Sequence, residues 1–153
     1  MSDTKESWDN PRANLLPGSI SAEGFLGADP RGLAEIIAED TQTVAACGTS
    51  NAAIAARLRE LTEAGEAGLG RPVLVDSHLE VTVSDTRGLI ACPFADGHGE
   101  HKRLTTVIDR QTGQAACWSD LNIHLIERHG FYEGKGAAFR VEPRALAEIL
   151  GLV

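Results

Sequence analysis

The segment that decides the fold is "RLTTVIDRQTGQAACWSDLNIHLIERHG", residues 103–130. Two apolar stretches, "RLTTVID" and "QAACW", flank "RQTG", where Gly113 can supply a positive φ, so they predict a β-hairpin. A helix follows at once, because Ser119 is a good N-cap and Gly130 is a natural helix terminator. We therefore predict strand, turn, strand and then a helix over about 120–129.

The sequence before this segment predicts two further strands. In "HLEVTVSD", residues 78–85, apolar and polar side chains alternate, which is typical of a half-buried strand. "GLIAC", residues 88–92, predicts another strand, reached through a turn at residues 85–88. "PFADGHGEHK", residues 93–102, is then expected to form a loop.

Helices precede this sheet. Asp29 as N-cap and Pro30 at the first helical position predict a helix that ends at Gly48. A second helix, capped by Thr49 or Ser50, completes a hairpin. A last short helix is expected from Pro143 through Leu150. Helices first and antiparallel strands later indicate an α+β fold: an N-terminal helical hairpin, then a small antiparallel sheet with a C-terminal pair of short helices.

Composition narrows the class of protein. The chain has 153 residues and a formal net charge of −8, which disfavours strong binding to nucleic acid or to an anionic membrane surface. We expect a mobile arm over residues 1–19 and one domain over residues 20–153. The first residues lack the pattern of a signal peptide, and three scattered cysteines do not indicate a disulfide framework. We therefore expect a cytoplasmic protein.

The helix after Ser119 carries two histidines. At ~100° per residue, His129 and Asn122 fall on its apolar arc and His124 falls on the charged face. The two histidines are five positions apart, whereas helical ligands of one metal normally lie three or four apart, so we expect no shared ion. His129 and Asn122 are either satisfied structural groups or part of the wall of a polar pocket, and His124 is expected in solvent.

The loop after the second predicted strand offers zinc ligands. Cys92, His98 and His101 carry thiolate and imidazole donors, and a fourth ligand would come from His124, Cys117 or solvent. Solvated loop histidines are the alternative, since the spacing matches no structural zinc pattern. Cys92 is also a candidate nucleophile, with His129 or His98 as its base.

A glycine-rich loop follows the histidine helix. "HGFYEGKGAAFR", residues 129–140, has three glycines with Lys135 between two of them and Arg140 shortly after. Such a loop can bring backbone N–H groups and positive charge to a phosphate or carboxylate. The alternative is a flexible turn pinned by aromatic side chains.

These patterns favour one polar pocket in the second half of the chain. We expect it to bind a small anionic ligand and, as an option, a divalent metal such as zinc, and to catalyse proton transfer or hydrolysis. His129 and Cys92 are the candidate catalytic residues, and Asn122, Lys135 and Arg140 the candidate ligand-binding residues. The alternative is a non-enzymatic interaction or regulatory module that uses the helical hairpin, residues 30–64. DNA binding is a third hypothesis, suggested by the corner at Gly48, which resembles the general helix-turn-helix pattern. It is the weakest of the three.

Overall fold

The computed structural model of this chain describes Leu15 and residues 24–153. The chain has an α+β fold, as predicted, in which a helix pair precedes a four-stranded antiparallel sheet and two further helices. The predicted arm over residues 1–19 lies outside the described residues apart from Leu15. The elements are α1 Leu33–Ala46, α2 Asn51–Glu66, β1 Val73–Val75, β2 Leu79–Ala91, β3 Gly99–Asp109, β4 Ala115–Ser119, α3 Asp120–His129 and α4 Pro143–Ile149.

The sheet is a meander in the order β1-β2-β3-β4. The predicted hairpin at Gly113 is confirmed, with a φ of 78° at that glycine. The predicted turn at residues 85–88 is wrong, because β2 runs through it as one strand paired with β3. A register shift between Thr86 and Leu89 absorbs the irregularity, and Gly88 takes a φ of 112° that few other residues adopt. The connecting loop is therefore shorter than predicted and covers only residues 92–98.

The ends of two helices follow their local capping signals. Ser50 accepts a hydrogen bond from Ala53 N at the start of α2. α3 has the predicted bounds, with Ser119 and Asn122 forming a reciprocal capping box and Gly130 in the left-handed conformation. The predicted start of α1 is wrong: the helix begins at Leu33, because the Asp29 carboxylate binds Arg31 and the Lys135 N–H instead of capping it.

The helices cover one side of the sheet, and α3 lies deepest. It packs against α2 as well as against β3 and β4, while α1 contacts α4. Two apolar clusters result. The larger joins the sheet to α2, α3 and α4, and the smaller joins Phe25, Cys92 and Phe131 to side chains of α1 and α3. None of the described helices is long and apolar enough to cross a bilayer.

The larger cluster contains a buried chain of polar contacts. Trp118 Nε1 donates to Thr62 Oγ1 at 2.9 Å, and the Thr62 hydroxyl lies 2.9 Å from Thr105 Oγ1. All three side chains are fully buried, so each polar atom depends on the others for a partner. This series of polar contacts joins α2 to β3 and β4.

We expect Thr62→Val to lower the free energy of unfolding by about 1–3 kcal/mol, because it leaves the Trp118 indole N–H buried without an acceptor. Chemical denaturation measures the change. Thr82→Val, at a half-buried position of β2, is the matched control and should shift stability by less than about 0.5 kcal/mol. Equal effects from both variants would contradict a stabilising role for the chain of contacts.

Candidate metal centre

The loop between β2 and β3 is folded around the side chain of Asp96. Asp96 Oδ1 accepts from the backbone N–H of His98 at 2.9 Å, and Cys92 N donates to His98 O at 2.9 Å. Ala95 and Gly97 both have a positive φ, which gives the loop its tight curvature. This backbone leaves the second carboxylate oxygen of Asp96, Oδ2, directed at α3.

His124 and His129 of α3 meet at that oxygen. Asp96 Oδ2 accepts a hydrogen bond from Nε2 of each ring at 2.8 Å. Cys92 Sγ lies 3.6 Å from His129 Nε2. One thiol, one carboxylate and two imidazoles thus converge, and their donor atoms all lie within 4.8 Å of one another. We call Cys92, Asp96, His124 and His129 the four-donor cluster.

Both imidazole rings are held by aromatic neighbours from the same loop. Phe94 stacks on His129 with ring centroids 4.1 Å apart, and His98 stacks on His124 at 3.9 Å. The rings of His124 and His129 themselves are nearly perpendicular, at 77°. The loop therefore fixes the orientation of both rings as well as supplying the thiol and the carboxylate.

Burial and hydrogen bonding set the charge of the cluster. Burial raises the pKa of the Cys92 thiol to about 11 and lowers the pKa of His124. Burial would also raise the pKa of Asp96, but hydrogen bonds from His129, the His98 N–H and His124 outweigh it and hold that pKa well below its usual range. The cluster thus presents a carboxylate, a neutral ring at position 124 and a protonated thiol near pH 7.

The donor atoms fit the requirements of zinc. Tetrahedral Zn²⁺ takes sulfur at ~2.3 Å and nitrogen at ~2.0–2.1 Å, which places such a pair of ligand atoms about 3.5 Å apart. The Cys92–His129 separation of 3.6 Å matches this value. The two Nε2–Oδ2 distances of 2.8 Å are shorter, as expected for direct hydrogen bonds, and need to lengthen by about half an ångström for both atoms to bind one tetrahedral ion.

A second possible donor group, His98, Glu100 and His124, does not fit one ion as well. The rings of His98 and His124 are stacked within 5° of parallel. The lone pair of an imidazole nitrogen lies in the plane of its ring, so two stacked rings cannot both direct a lone pair at one ion. His98 Nε2 is instead 2.6 Å from Glu100 Oε1.

The structure brings together a different set of possible donors from the one predicted. Of Cys92, His98 and His101, only Cys92 belongs to the four-donor cluster, while His98 stacks above it and His101 lies exposed on β3. The expectation that His124 is solvated is wrong, since its side chain is 7% exposed. The expectation that His124 and His129 point apart is also wrong, because both reach Asp96. Asp96, in the loop predicted over residues 93–102, was not among the predicted ligands.

The glycine-rich loop is packed against the chain instead of opening to solvent. A side chain on Gly134 would lie 2.0 Å from Leu26 O, and Gly134 N donates to Phe25 O. Lys135 is exposed and uses its N–H to bind Asp29. The Arg140 guanidinium is buried in an ion pair with Asp40 at 2.8 Å. The structure therefore does not bring Lys135 and Arg140 together with Asn122 around one anion.

Asn122 has a buried partner that sequence reasoning missed. Its Nδ2 donates to Glu133 Oε2 at 2.6 Å, while its Oδ1 accepts from Ser119 N. Glu133 is 3% exposed, and burial raises its pKa to about 7 even though Asn122 and Arg140 act in the opposite direction. The only sequence signal was an isolated glutamate within the aromatic stretch "FYEG".

Comparison with known proteins finds no relative of this chain. No protein-family model, no curated protein and no solved structure matches the chain.

We expect His124→Ala to lower the free energy of unfolding of the metal-free protein by about 1–3 kcal/mol, because it removes a buried ring and a hydrogen bond to Asp96. Denaturation in the presence of a chelator measures this. His101→Ala removes an exposed ring and should have an effect below about 0.5 kcal/mol. A small effect at position 124 would mean that α3 is rotated relative to the loop.

Glu133 should make stability depend on pH. Its pKa is about 7 in the folded chain, against an ordinary value of 4.5, so the folded state holds the proton more tightly. Its contribution to stability is full below pH 4.5 and is lost as the pH rises to about 7. Glu133→Gln should remove this loss, whereas Glu63→Gln, at an exposed position of α2, should leave the pH profile unchanged. Thermal melts from pH 4 to 8 measure both.

Proposed function

We propose that this protein binds one Zn²⁺ ion through Cys92, Asp96, His124 and His129. The observation that carries the proposal is the convergence of four donor atoms of zinc-binding type within 4.8 Å. The four residues come from two separate parts of the chain, the β2–β3 loop and α3. Coordination of an ion at this point would therefore link the loop to the end of α3.

Zinc binding accounts for the cluster better than nucleophilic catalysis by Cys92. The thiol is 4% exposed, and burial keeps its pKa at about 11, so it is a weak nucleophile near neutral pH. The carboxylate of Asp96 beside it also disfavours a free thiolate. A cation reverses that balance, because a coordinating thiol is deprotonated by the metal.

The position of the cluster on α3 suits a cation. His129 is the last residue of the helix, where the partial negative charge of the backbone carbonyls favours positive charge. Of the four donors, Asp96 and His129 are partly exposed while Cys92 and His124 are buried. Four protein ligands would make a closed site, and the predicted hydrolytic role would need Asp96 to give way to water.

The third hypothesis, DNA binding at the helical hairpin, has less support. Arg57 is paired with Glu60 and Asp76, and Arg59 with Glu127. These guanidinium groups are thus engaged within the chain. The ion pairs of Arg57 and Arg59 have no bearing on the zinc proposal.

The proposal is tested by titrating metal-free protein with Zn²⁺ and with Co²⁺. We expect one ion per chain, and for Co²⁺ the near-ultraviolet charge-transfer band of a thiolate ligand together with visible bands typical of tetrahedral geometry. Cys92→Ser should abolish the charge-transfer band and weaken Zn²⁺ binding by more than about tenfold.

Two matched variants serve as controls. Cys117→Ser removes another cysteine, on β4, and His101→Ala removes a histidine outside the cluster; both should bind Zn²⁺ like the unaltered chain. Failure to bind Zn²⁺ at micromolar concentration, or equal affinity in the Cys92→Ser variant, would overturn the proposal.

A further inference from the structure

A cleft of about 660 Å³ lies beside the loop end of the β2–β3 hairpin. The ends of the two strands form one wall of the cleft. Phe25, Leu121 and residues of the glycine-rich loop form the rest of its lining. Neither imidazole of the four-donor cluster, nor Cys92 or Asp96, lines this cleft. Its apolar walls include Phe25, Leu89, Leu121 and Phe139, and its charged groups include Lys102 and Glu133. We call it the Glu133 cleft.

Glu133 is an unusual residue to find in the wall of a cleft. It is 3% exposed, and its backbone has a φ of 69°, in the left-handed region that disfavours residues other than glycine, asparagine and aspartate. Asn122 donates to one of its two carboxylate oxygens, and the carboxyl is strongly desolvated. A buried carboxylate with a single side-chain donor gains from a further donor, which a ligand in the cleft can supply.

The opposite charge is found on β3. Lys102 is exposed and lines the cleft with the neighbouring His101. Arg103 lines it too, but its guanidinium binds Asp120 and Glu66. Lys102 is therefore the cation of the cleft wall for which the structure gives no carboxylate partner among the described residues.

We propose that the Glu133 cleft binds a small zwitterion with an apolar, preferably aromatic, middle. Its ammonium group would contact Glu133, its carboxylate would contact Lys102, and its middle would lie against Phe25, Leu121 and Phe139. The arrangement is selective because a ligand with one charge satisfies only one end. The proposal is independent of zinc, since the four donors lie outside the cleft.

The experiment uses 4-(aminomethyl)phenylacetic acid, which carries an ammonium and a carboxylate on opposite ends of an aromatic ring. The matched probes are 4-methylphenylacetic acid, which lacks the amine, and 4-ethylbenzylamine, which lacks the acid. Binding is followed by amide chemical shifts in NMR, with and without Zn²⁺. We expect the zwitterion to shift residues that line the cleft and to bind at least about tenfold more tightly than either analogue.

Variants assign the two contacts. Glu133→Gln should weaken binding of the zwitterion at least about tenfold while leaving binding of 4-methylphenylacetic acid unaffected. Lys102→Met should weaken binding of the zwitterion equally while leaving binding of 4-ethylbenzylamine unaffected. The pH-stability profile of Glu133→Gln shows independently that this variant folds. Glu63→Gln is the matched control and should bind like the unaltered chain.

Three results would overturn the proposal: no shift in the cleft at millimolar zwitterion, equal binding of the zwitterion and a singly charged analogue, or loss of binding in Lys135→Met in place of Lys102→Met. The last result would assign the acid group to the glycine-rich loop. None of them bears on zinc, so failure here and failure of the proposed zinc function are distinguishable.

Discussion

The burial of α3 on more than one side is the constraint from which both candidate sites follow. Every residue from Asp120 to Ile126 is buried, because α2, β3 and β4 pack against the helix. A polar side chain on such a helix cannot turn to water and must find a partner inside the protein. Asn122 finds Glu133, and His124 finds Asp96. These two polar residues of the helix thus each bring a loop residue to a defined place.

The sequence predicts the bounds of α3, which depend on local interactions. It does not predict which side of the helix is buried, because that depends on residues distant in sequence. Its bounds follow from Ser119 and Gly130, because capping involves only the residues at the ends of the helix. Its orientation was wrong at position 124, since the helical-wheel argument assumes one dry and one wet side. His124 falls on the polar arc, yet the β2–β3 loop covers that arc with His98 and Asp96.

Spacing also gave a wrong expectation for the relative directions of the two histidine side chains. Residues five apart point about 140° apart around a helix, but a side chain leans toward the helix N-terminus, and an imidazole reaches several ångströms from the backbone. His129, at the last position, leans back toward the turn that holds His124. One carboxylate oxygen between the rings then suffices to join them. Asp96 could not be predicted as that group, because its position depends on a loop distant in sequence. The glycines of the 130–136 loop were similarly ambiguous: Gly134 packs closely on Leu26 and Gly136 lies beside Ala28, which sequence alone cannot distinguish from binding an anion.

The two ends of α3 differ in the charge they favour, and the side chains follow that difference. A helix N-terminus favours negative charge and a C-terminus favours positive charge. Asp120 lies in the first turn, and Asn122 links that turn to Glu133, so both carboxyl groups are on the N-terminal side. His124 and His129 direct their donor nitrogens to one point near the C-terminal side, where a divalent cation would be held. One buried helix thereby separates a carboxyl-lined cleft from a cluster suited to a metal ion.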